Sequence, residues 1–373
     1  MGSPVQAPAA APQGERRFAQ RRRERIPVVR GISTGGPRHT AAQAEVKRVA
    51  TEHFPGVERS DAILSVFDHA QIDERQLARP VDWYVEQRPF AEKNAIYVEE
   101  TLALGERLTR RALGDAGLTP ADVDAVVFVS STGVSTPSLD SFLMQRMGIP
   151  ADAIRLPLWG LGCAGGAAGL ARAADLVRAG YEHVLLLAVE FCSLTFHMGD
   201  ESKANFIGTA IFADGGAALV LGADEGPGDG GLVRLLHAHS HLVDDSAALT
   251  GWDVVDAGFK LRLSAEIPTI MLTRLRPIVD ASLAIAGWSL DDLDTIMVHP
   301  GGAKVLTGYE LALGLDEHAL DASRTVLREH GNMSSPTVLF VLAEALRHRP
   351  RGRGMVSATG PGFSAEHLLV EFA

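Results

Sequence analysis

One pattern occurs twice along the chain and constrains its fold more than any other feature. Segment 122–133 contains an acidic turn, a short apolar strand and a loop of small polar residues, and segment 291–302 repeats that order. Each copy follows a stretch with helical spacing that ends at a glycine, Gly117 or Gly287. Repetition over so long a distance predicts a duplicated α/β unit whose halves meet near residue 235.

A second pair of similar segments supports the duplication. Segment 212–222 resembles a strand, a glycine turn and a strand, and so does the segment from 354 to 372. Short apolar strands that alternate with helices are typical of parallel sheets covered on both faces. The sequence therefore predicts an α/β fold with mainly parallel, buried sheets. Residues 26–235 form the first half and residues 236–373 the second.

Composition excludes several classes of protein. The 373 residues are enough for two fused halves, and a net charge of −11 gives no reason to expect a nucleic-acid partner. No apolar run approaches the roughly 20 residues that span a bilayer. The two cysteines, Cys163 and Cys192, form no disulfide framework and fit a reducing cytoplasm. No Cys/His cluster has the spacing of metal ligands, so we expect neither a metal nor a bound cofactor.

The first 25 residues differ from the rest because they are rich in Ala, Pro, Gln and Arg. They lack the layout of a signal peptide. This composition predicts a disordered basic arm. Binding of the arm to an acidic surface is the alternative.

Cys163 is the candidate nucleophile. It lies among glycines and alanines just before a helical stretch at 171–179. The N-terminus of a helix favours an anion, which lowers a thiol pKa, and small neighbours let a substrate approach. The alternative is a buried structural cysteine in a tightly packed helix start.

Two further stretches place reactive side chains on loops. His299 follows an apolar strand and opens a His-Pro-Gly-Gly turn, and Asn332 precedes the apolar helix predicted at 337–346. Taken singly, His299 is explained as a structural histidine and Asn332 as a helix cap. Together with Cys163 they form a coherent catalytic set, in which an imidazolium pairs with a thiolate.

The expected chemistry of this set is decarboxylative condensation. Imidazole and carboxamide donate hydrogen bonds to one carbonyl oxygen, which stabilises the enolate left when a malonyl thioester loses CO2. A papain-like protease has the same three residue types, but its cysteine lies in a different motif near the mature N-terminus. The mid-chain position of Cys163 makes that assignment improbable.

Four ordered motifs carry a family resemblance: Gly-Leu-Gly-Cys163-Ala-Gly-Gly, Val-His299-Pro-Gly-Gly, Gly-Asn332-Met-Ser-Ser and Gly-Pro361-Gly. With them the chain resembles the type III polyketide synthases, the chalcone-synthase-like condensing enzymes. The resemblance implies a thiolase-like fold with αβαβα layers, a cytoplasmic homodimer, and acyl-CoA and malonyl-CoA as substrates. Cys163 would carry the acyl chain, while His299 and Asn332 would promote decarboxylation.

The resemblance also implies a substrate pocket. Phe212 matches a gatekeeper phenylalanine at the mouth of the acyl cavity, and Leu261 stands where a second gatekeeper is expected, which removes an aromatic plate and widens the site. The other pocket positions are Thr132, Thr136, Glu190, Cys192, Thr195, Gly208, Ser334 and Pro361. Thr136 also matches a position that crosses the dimer.

The resemblance also bears on CoA binding. The basic residues that hold the CoA phosphates in plant members align near Leu64 and Ser65 here, which are not basic. Arg59 and Lys304 are the substitutes, with Gly301 and Gly302 allowing close backbone approach.

The resemblance narrows the product. Tetrahydroxynaphthalene-forming members have a cysteine where Thr136 stands, which counts against that product. Segments 190–195 and 251–256 look most like bacterial alkylpyrone or alkylresorcinol synthases, which take fatty acyl starters. A single condensation without cyclisation, as in ketoacyl synthase III, and a non-catalytic acyl-binding partner remain alternatives.

Overall fold

A computed structural model describes residues 25–53, 61–226, 229 and 231–372, so nearly all of the predicted basic arm lies outside the described residues. The strands are β1 Pro27–Gly35, β2 His39–Ala42, β3 Glu74–Leu77, β4 Ala125–Val129, β5 Ile154–Leu158, β6 Val184–Phe191, β7 Asp214–Ala223, β8 Val233–Leu242, β9 Thr250–Val255, β10 Gly258–Leu263, β11 Thr295–Val298, β12 Gly352–Gly360 and β13 Ser364–Phe372. The α-helices are α1 Gln43–His53, α2 Asp61–Asp68, α3 Phe90–Asp115, α4 Leu139–Met147, α5 Gly165–Ala179, α6 Lys203–Ile211, α7 Ile267–Ala284, α8 Ala303–Leu313, α9 Asp321–His330 and α10 Thr337–Arg347.

Within the described part of the chain, nine strands form one sheet in the order β11-β12-β13-β8-β1-β7-β6-β4-β5. The parallel pairs lie at its two ends, where β11 joins β12 and where β4 joins β5 and β6. The five pairings between them are antiparallel, so the sheet is mixed and the expected parallel pairing holds only at the ends. Connection length explains part of this difference, because β12 and β13 are separated by a turn too short for the crossover that parallel neighbours need.

The strand order is symmetric about the β1–β8 pair except for the edge strand β5. From β1 outward it is β7, β6, β4 and β5, and from β8 outward it is β13, β12 and β11, so each half of the chain supplies one side and β5 has no counterpart. That symmetry supports the duplication read from the sequence. The boundary near residue 235 falls inside β8, which begins at Val233. Segment 212–222 also differs from the prediction, because it contains the single strand β7 rather than two strands.

The packing has five layers. Helices α3 and α4 cover one half-sheet through Leu108 and Leu143, which pack with Phe128 of β4. Helices α7 and α8 cover the other half-sheet. Between the half-sheets lie α5 and α10, whose apolar side chains pack with strands of both halves. This is the expected αβαβα arrangement, and it brings the N-terminal ends of α5 and α10 together at the centre of the molecule.

Candidate active site

Cys163 lies in a single 3₁₀ turn, Gly162–Ala164, that leads directly into α5. Glycine is required on both sides of it. Gly162 has φ +47°, and a Cβ there would stand 2.8 Å from Cδ of Pro361. A Cβ on Gly166 would stand 2.1 Å from the carbonyl oxygen of Ser335. The small residues around Cys163 therefore allow the loops before α5 and α10 to pack against each other.

The side chain of Asn332 lies beside Cys163. Its Oδ1 lies 3.9 Å and its Nδ2 4.0 Å from Sγ of Cys163. Oδ1 accepts a hydrogen bond from the backbone N–H of Ser334 at 2.8 Å, and Nδ2 donates to the carbonyl of Gly301 at 3.1 Å. Nδ2 carries two hydrogens, so one remains for a group bound beside Cys163.

His299 reaches the same place from the end of β11. Its backbone N–H donates to the carbonyl of Ser357 at 2.8 Å, which extends the β11–β12 ladder by one residue. The side chain is 1% exposed, and neither ring nitrogen has a hydrogen-bond partner among the described residues. Gly301 lies beside the ring, since a Cβ on it would stand 3.7 Å from Nε2. The bond from Asn332 to Gly301 thus joins the two loops.

Burial shifts the pKa values of both Cys163 and His299. Burial raises the pKa of the Cys163 thiol to about 11, although hydrogen bonds from Ser334 and Asn332 act in the opposite direction. Burial lowers the pKa of His299 to about 3. Both shifts favour the neutral thiol and the neutral imidazole over the thiolate–imidazolium pair that the sequence predicts. Cys163 does lie at the start of a helix, but desolvation raises its pKa by more than that position lowers it.

Phe212 is tied to Asn332 through the backbone. The N–H of Asn332 donates to the carbonyl of Ile211 at 2.8 Å, and the N–H of Ala213 donates to the carbonyl of Asn332 at 2.9 Å. These two bonds make an isolated bridge between residues 212 and 332. The position of Phe212 is therefore fixed relative to Asn332.

A mostly apolar cavity, here called the acyl cavity, lies beside Phe212. Five predicted pocket residues line it: Cys192, Thr195, Gly208, Phe212 and Leu261. Val46, Val49 and Ala50 of α1 extend its wall. Gly208 leaves room for two neighbours, because a Cβ there would stand 2.9 Å from Cδ2 of Leu261 and 3.2 Å from Cδ2 of Phe212.

Trp252 also lines the acyl cavity, and sequence reasoning did not single it out. It pairs with Leu261 across the β9–β10 hairpin, and its ring centroid lies 6.4 Å from that of Phe212. An aromatic plate therefore faces Phe212 from the strand beside Leu261. Trp252 therefore fills part of the space that leucine at position 261 was expected to open in the cavity. The pairing of Trp252 with Leu261 depends on the register of the hairpin, which the sequence does not show.

Arg75 is a second residue that the sequence did not indicate. It is fully buried on β3 and donates to the carbonyls of Thr209, Ala210 and Phe212 at 2.9, 2.7 and 2.8 Å. It also donates to Oε1 of Gln43. Burial lowers its pKa to about 9. Arg75 satisfies the carbonyls at the C-terminal end of α6, which holds the backbone of Phe212.

Thr132 and Glu190 do not line the acyl cavity. Glu190 is buried, and its carboxylate accepts hydrogen bonds from the N–H of Ser131, Oγ1 of Thr132 and Oγ of Ser335 at 2.7–2.8 Å. Burial raises the pKa of Glu190 to about 7. This buried cluster links the loop after β4 with the loop before α10, so it supports the site from behind.

The remaining predicted residues are dispersed. Ser334 and Pro361 lie beside Cys163, whereas Thr136 is exposed on the loop after β4. Gly302 caps α8, and Lys304 is exposed in the first turn of that helix. Arg59 lies outside the described residues.

Within the ranges that the structure describes, no group of three or more His, Cys, Asp or Glu side chains is arranged to hold a metal ion. None of the helices described has the length and apolar character of a membrane span.

Comparison with known proteins gives consistent matches along the chain. Residues 82–225 match the N-terminal domain of chalcone and stilbene synthases, and residues 234–372 match the C-terminal domain. A putative chalcone synthase of Bacillus subtilis is 40% identical over 91% of this chain and 96% of its own. The 1,3,6,8-tetrahydroxynaphthalene synthase of Streptomyces peucetius is 39% identical over 92% of this chain and 93% of its own.

The fold has solved counterparts. The crystal structure of the 1,3,6,8-tetrahydroxynaphthalene synthase from Streptomyces coelicolor, a bacterial type III polyketide synthase, superposes with a TM-score of 0.87. It has 29% sequence identity and covers 92% of this chain and 99% of its own. The similarity therefore extends over both halves and includes the loops that carry Cys163, His299 and Asn332.

Proposed function

Because the chain belongs to the chalcone and stilbene synthase family of type III polyketide synthases, we propose that it extends a fatty acyl starter with malonyl-CoA and cyclises the chain. Members of this family are acyltransferases that act on CoA thioesters. The observation that carries the choice of starter is the apolar acyl cavity beside Phe212.

Loading takes place on Cys163. The thiol sulfur attacks the starter thioester, the C–S bond to CoA breaks, and CoA leaves as the thiol. His299 has free ring nitrogens to take the Cys163 proton and pass it to the departing sulfur. The second N–H of Asn332 Nδ2 donates to the oxyanion of the tetrahedral intermediate.

Extension uses His299 and Asn332 again. Malonyl-CoA loses its carboxylate as CO2, and the electron pair of that bond passes into the thioester enolate. His299 and Asn332 donate hydrogen bonds to the enolate oxygen, so no strong base is required. The enolate carbon attacks the acyl group on Cys163, releases the thiol and lengthens the chain by two carbons. Each further round begins with return of the chain to Cys163.

The acyl cavity accounts for an aliphatic starter. Its walls include Val46, Val49 and Leu261, and each methylene buried there contributes about 0.8 kcal/mol. Several methylenes therefore outweigh the polar contacts that an aromatic starter would make.

An alkylpyrone or alkylresorcinol is the proposed product. The relative from S. peucetius is called a tetrahydroxynaphthalene synthase. Thr136 stands where such enzymes have cysteine, and this favours the alkyl product for the present chain.

Competition among starters tests the proposal. Medium and long acyl-CoAs are expected to have a higher kcat/KM than acetyl-CoA or coumaroyl-CoA, read from product masses. Cys192→Phe fills the acyl cavity and is expected to shift the preference to shorter chains. Leu311→Phe, on the exposed face of α8, is the matched control and should change nothing. A preference for coumaroyl-CoA, or an unchanged profile in Cys192→Phe, would contradict the fatty acyl starter.

We also propose that the protein is a homodimer. β5 is an edge strand of the sheet, and large apolar side chains are exposed around it: Val134, Phe142, Ile154 and Trp159. The indole N–H of Trp159 donates a hydrogen bond to the carbonyl of Gly133, and Arg155 forms an ion pair with Asp140 of α4. These contacts join the elements into one surface. Contiguous exposed apolar surface is typical of an interface.

Light scattering tests the dimer. The native protein is expected to have the mass of two chains, and Trp159→Asp is expected to shift it toward one. A fully active monomer would overturn the proposal. A cytoplasmic location is part of the same proposal, because both cysteines are free thiols.

A further inference from the structure

A second cavity, here called the outer cavity, lies next to the acyl cavity. Three side chains line both: Tyr84, Phe196 and Met198. Their side chains are the common wall, so an acyl chain that displaces Met198 passes from the apolar cavity into the outer one. Methionine has three rotatable side-chain bonds, which makes such a displacement easy.

The outer cavity is charged, and most of its charges are paired. Arg88 forms ion pairs with Glu86 and Glu92, each at 2.8 Å. Lys260 pairs with Asp200 at 3.3 Å. Arg88 and Lys260 are therefore each already paired with a carboxylate.

His197 is also engaged. Its ring Nε2 lies 2.9 Å from the carbonyl oxygen of Phe259, and burial lowers its pKa. The ring therefore adds no positive charge near neutral pH.

Lys93 is the exception. It lines the outer cavity from α3 and is 6% exposed, and its Nζ donates one hydrogen bond, to the carbonyl of Phe196 at 3.1 Å. Within the described residues no carboxylate lies within 4 Å of it. Burial, with no compensating carboxylate, lowers its pKa to about 8. A buried ammonium group without a counter-ion is costly, and an ammonium has three hydrogens to donate.

We propose that Lys93 binds a carboxylate at the distal end of an acyl chain, so that the enzyme accepts ω-carboxyacyl thioesters as starters. This inference rests on the proposed function, because the chain must first be carried on Cys163 and enter the acyl cavity. The carboxylate supplies the counter-ion that Lys93 lacks. The hydrogen bond from Lys93 to the carbonyl of Phe196 holds the amine at the wall between the two cavities.

The decisive measurement compares matched starters of one chain length. These are an ω-carboxyacyl-CoA, its ω-methyl ester and the unsubstituted acyl-CoA. The native enzyme is expected to have a kcat/KM at least tenfold higher for the carboxylate than for its methyl ester. This comparison needs no variant, so a failure of Lys93 variants to fold would not affect it.

Variants then assign the effect to Lys93. Lys93→Met is expected to remove the preference for the carboxylate and to leave kcat/KM for the unsubstituted acyl-CoA within about twofold, whereas Lys93→Arg retains part of the preference because its charge remains. Lys47→Met, at a partly exposed lysine of α1 that pairs with Asp68, is the matched control.

The outcomes separate the two proposals. Equal kcat/KM for carboxylate and methyl ester in the native enzyme, or an unchanged preference in Lys93→Met, would overturn the carboxylate site while leaving the polyketide synthase intact. Absence of polyketide from every starter would instead overturn the proposed function.

Discussion

The two halves of the chain use the same pair of loops for different purposes. In the first half, the loop after β4 is held by buried Glu190, whose carboxylate accepts hydrogen bonds from Ser131 and Thr132. In the second half, the loop after β11 presents His299, whose ring nitrogens have no partner among the described residues. The loops before α5 and α10 then supply Cys163 and Asn332.

This difference separates support from chemistry. A buried polar group that is fully hydrogen-bonded fixes geometry, whereas one left without a partner costs stability and is available to a substrate. The loop after β4 is therefore a support, whereas the loop after β11 and the loops before α5 and α10 carry the residues that act on bound thioester. Each prediction below tests that division.

The largest effect is expected for Asn332→Ala. Removing one donor to an oxyanion typically costs on the order of 10²–10³ in rate. Malonyl-CoA decarboxylation should fall by that factor while Cys163 still takes up starter, which mass spectrometry of the intact protein can follow. Retained decarboxylation would show that Asn332 only holds the loops of Gly301 and Ser334 in place. Label on Cys192 in place of Cys163 would contradict the nucleophile assignment.

The next effect is on stability. Glu190→Ala leaves donors of Ser131, Thr132 and Ser335 without an acceptor, and each such loss costs about 1–3 kcal/mol. Urea denaturation should therefore show a destabilisation of roughly 3 kcal/mol or more.

His299→Leu is the counterpart of Glu190→Ala in the second half of the chain, and the opposite result is expected for it. The His299 ring has no hydrogen bond to lose among the residues that the structure describes, so the free energy of unfolding should stay within about 1 kcal/mol of the native value while condensation stops. The comparison between halves would fail if both variants were destabilised to the same extent.

A smaller effect is expected in the pH dependence of stability. Burial raises the pKa of Glu190 to about 7 from its usual 4.5, so the folded state binds a proton that the unfolded state has released between those values. Stability from this group therefore increases as pH falls from about 7 toward 4.5 and decreases as pH rises. Glu190→Gln should show a flatter dependence of Tm on pH between 5 and 8. An equally steep dependence would mean that Glu190 is ionised throughout.

The smallest effect concerns the reactivity of Cys163 in the free enzyme. Because burial raises the pKa of the thiol to about 11, alkylation by iodoacetamide should accelerate continuously from pH 7 to 10. A plateau that begins near pH 6 would reveal a thiolate–imidazolium pair.

Much of the site could be predicted from the sequence because its residues lie in local motifs. Cys163, His299 and Asn332 each lie next to a glycine-rich or turn signal that places them on loops. The five layers follow from the alternation of strands and helices. Strand direction in the middle of the sheet did not follow, because periodicity records burial and not the direction of the neighbour.

Other features depend on contacts between distant segments. Trp252 faces Phe212 only because β9 and β10 form a hairpin in one register. Arg75 supports Phe212 across 137 positions of sequence. The pKa of Cys163 is set by burial, which a helix-start motif does not reveal. None of these has a local sequence signal.

Counting the carbons retained from malonyl-CoA tests the central claim most directly. The purified protein is incubated with dodecanoyl-CoA and malonyl-CoA labelled with ¹³C at all three malonyl carbons, and the products are analysed by mass spectrometry. Each condensation keeps two labelled carbons and releases one as CO2, so iterative extension and cyclisation predict a product with at least four labelled carbons that is released without CoA. A product with only two labelled carbons would indicate a single condensation, and would contradict the assignment as an iterative, ring-forming synthase.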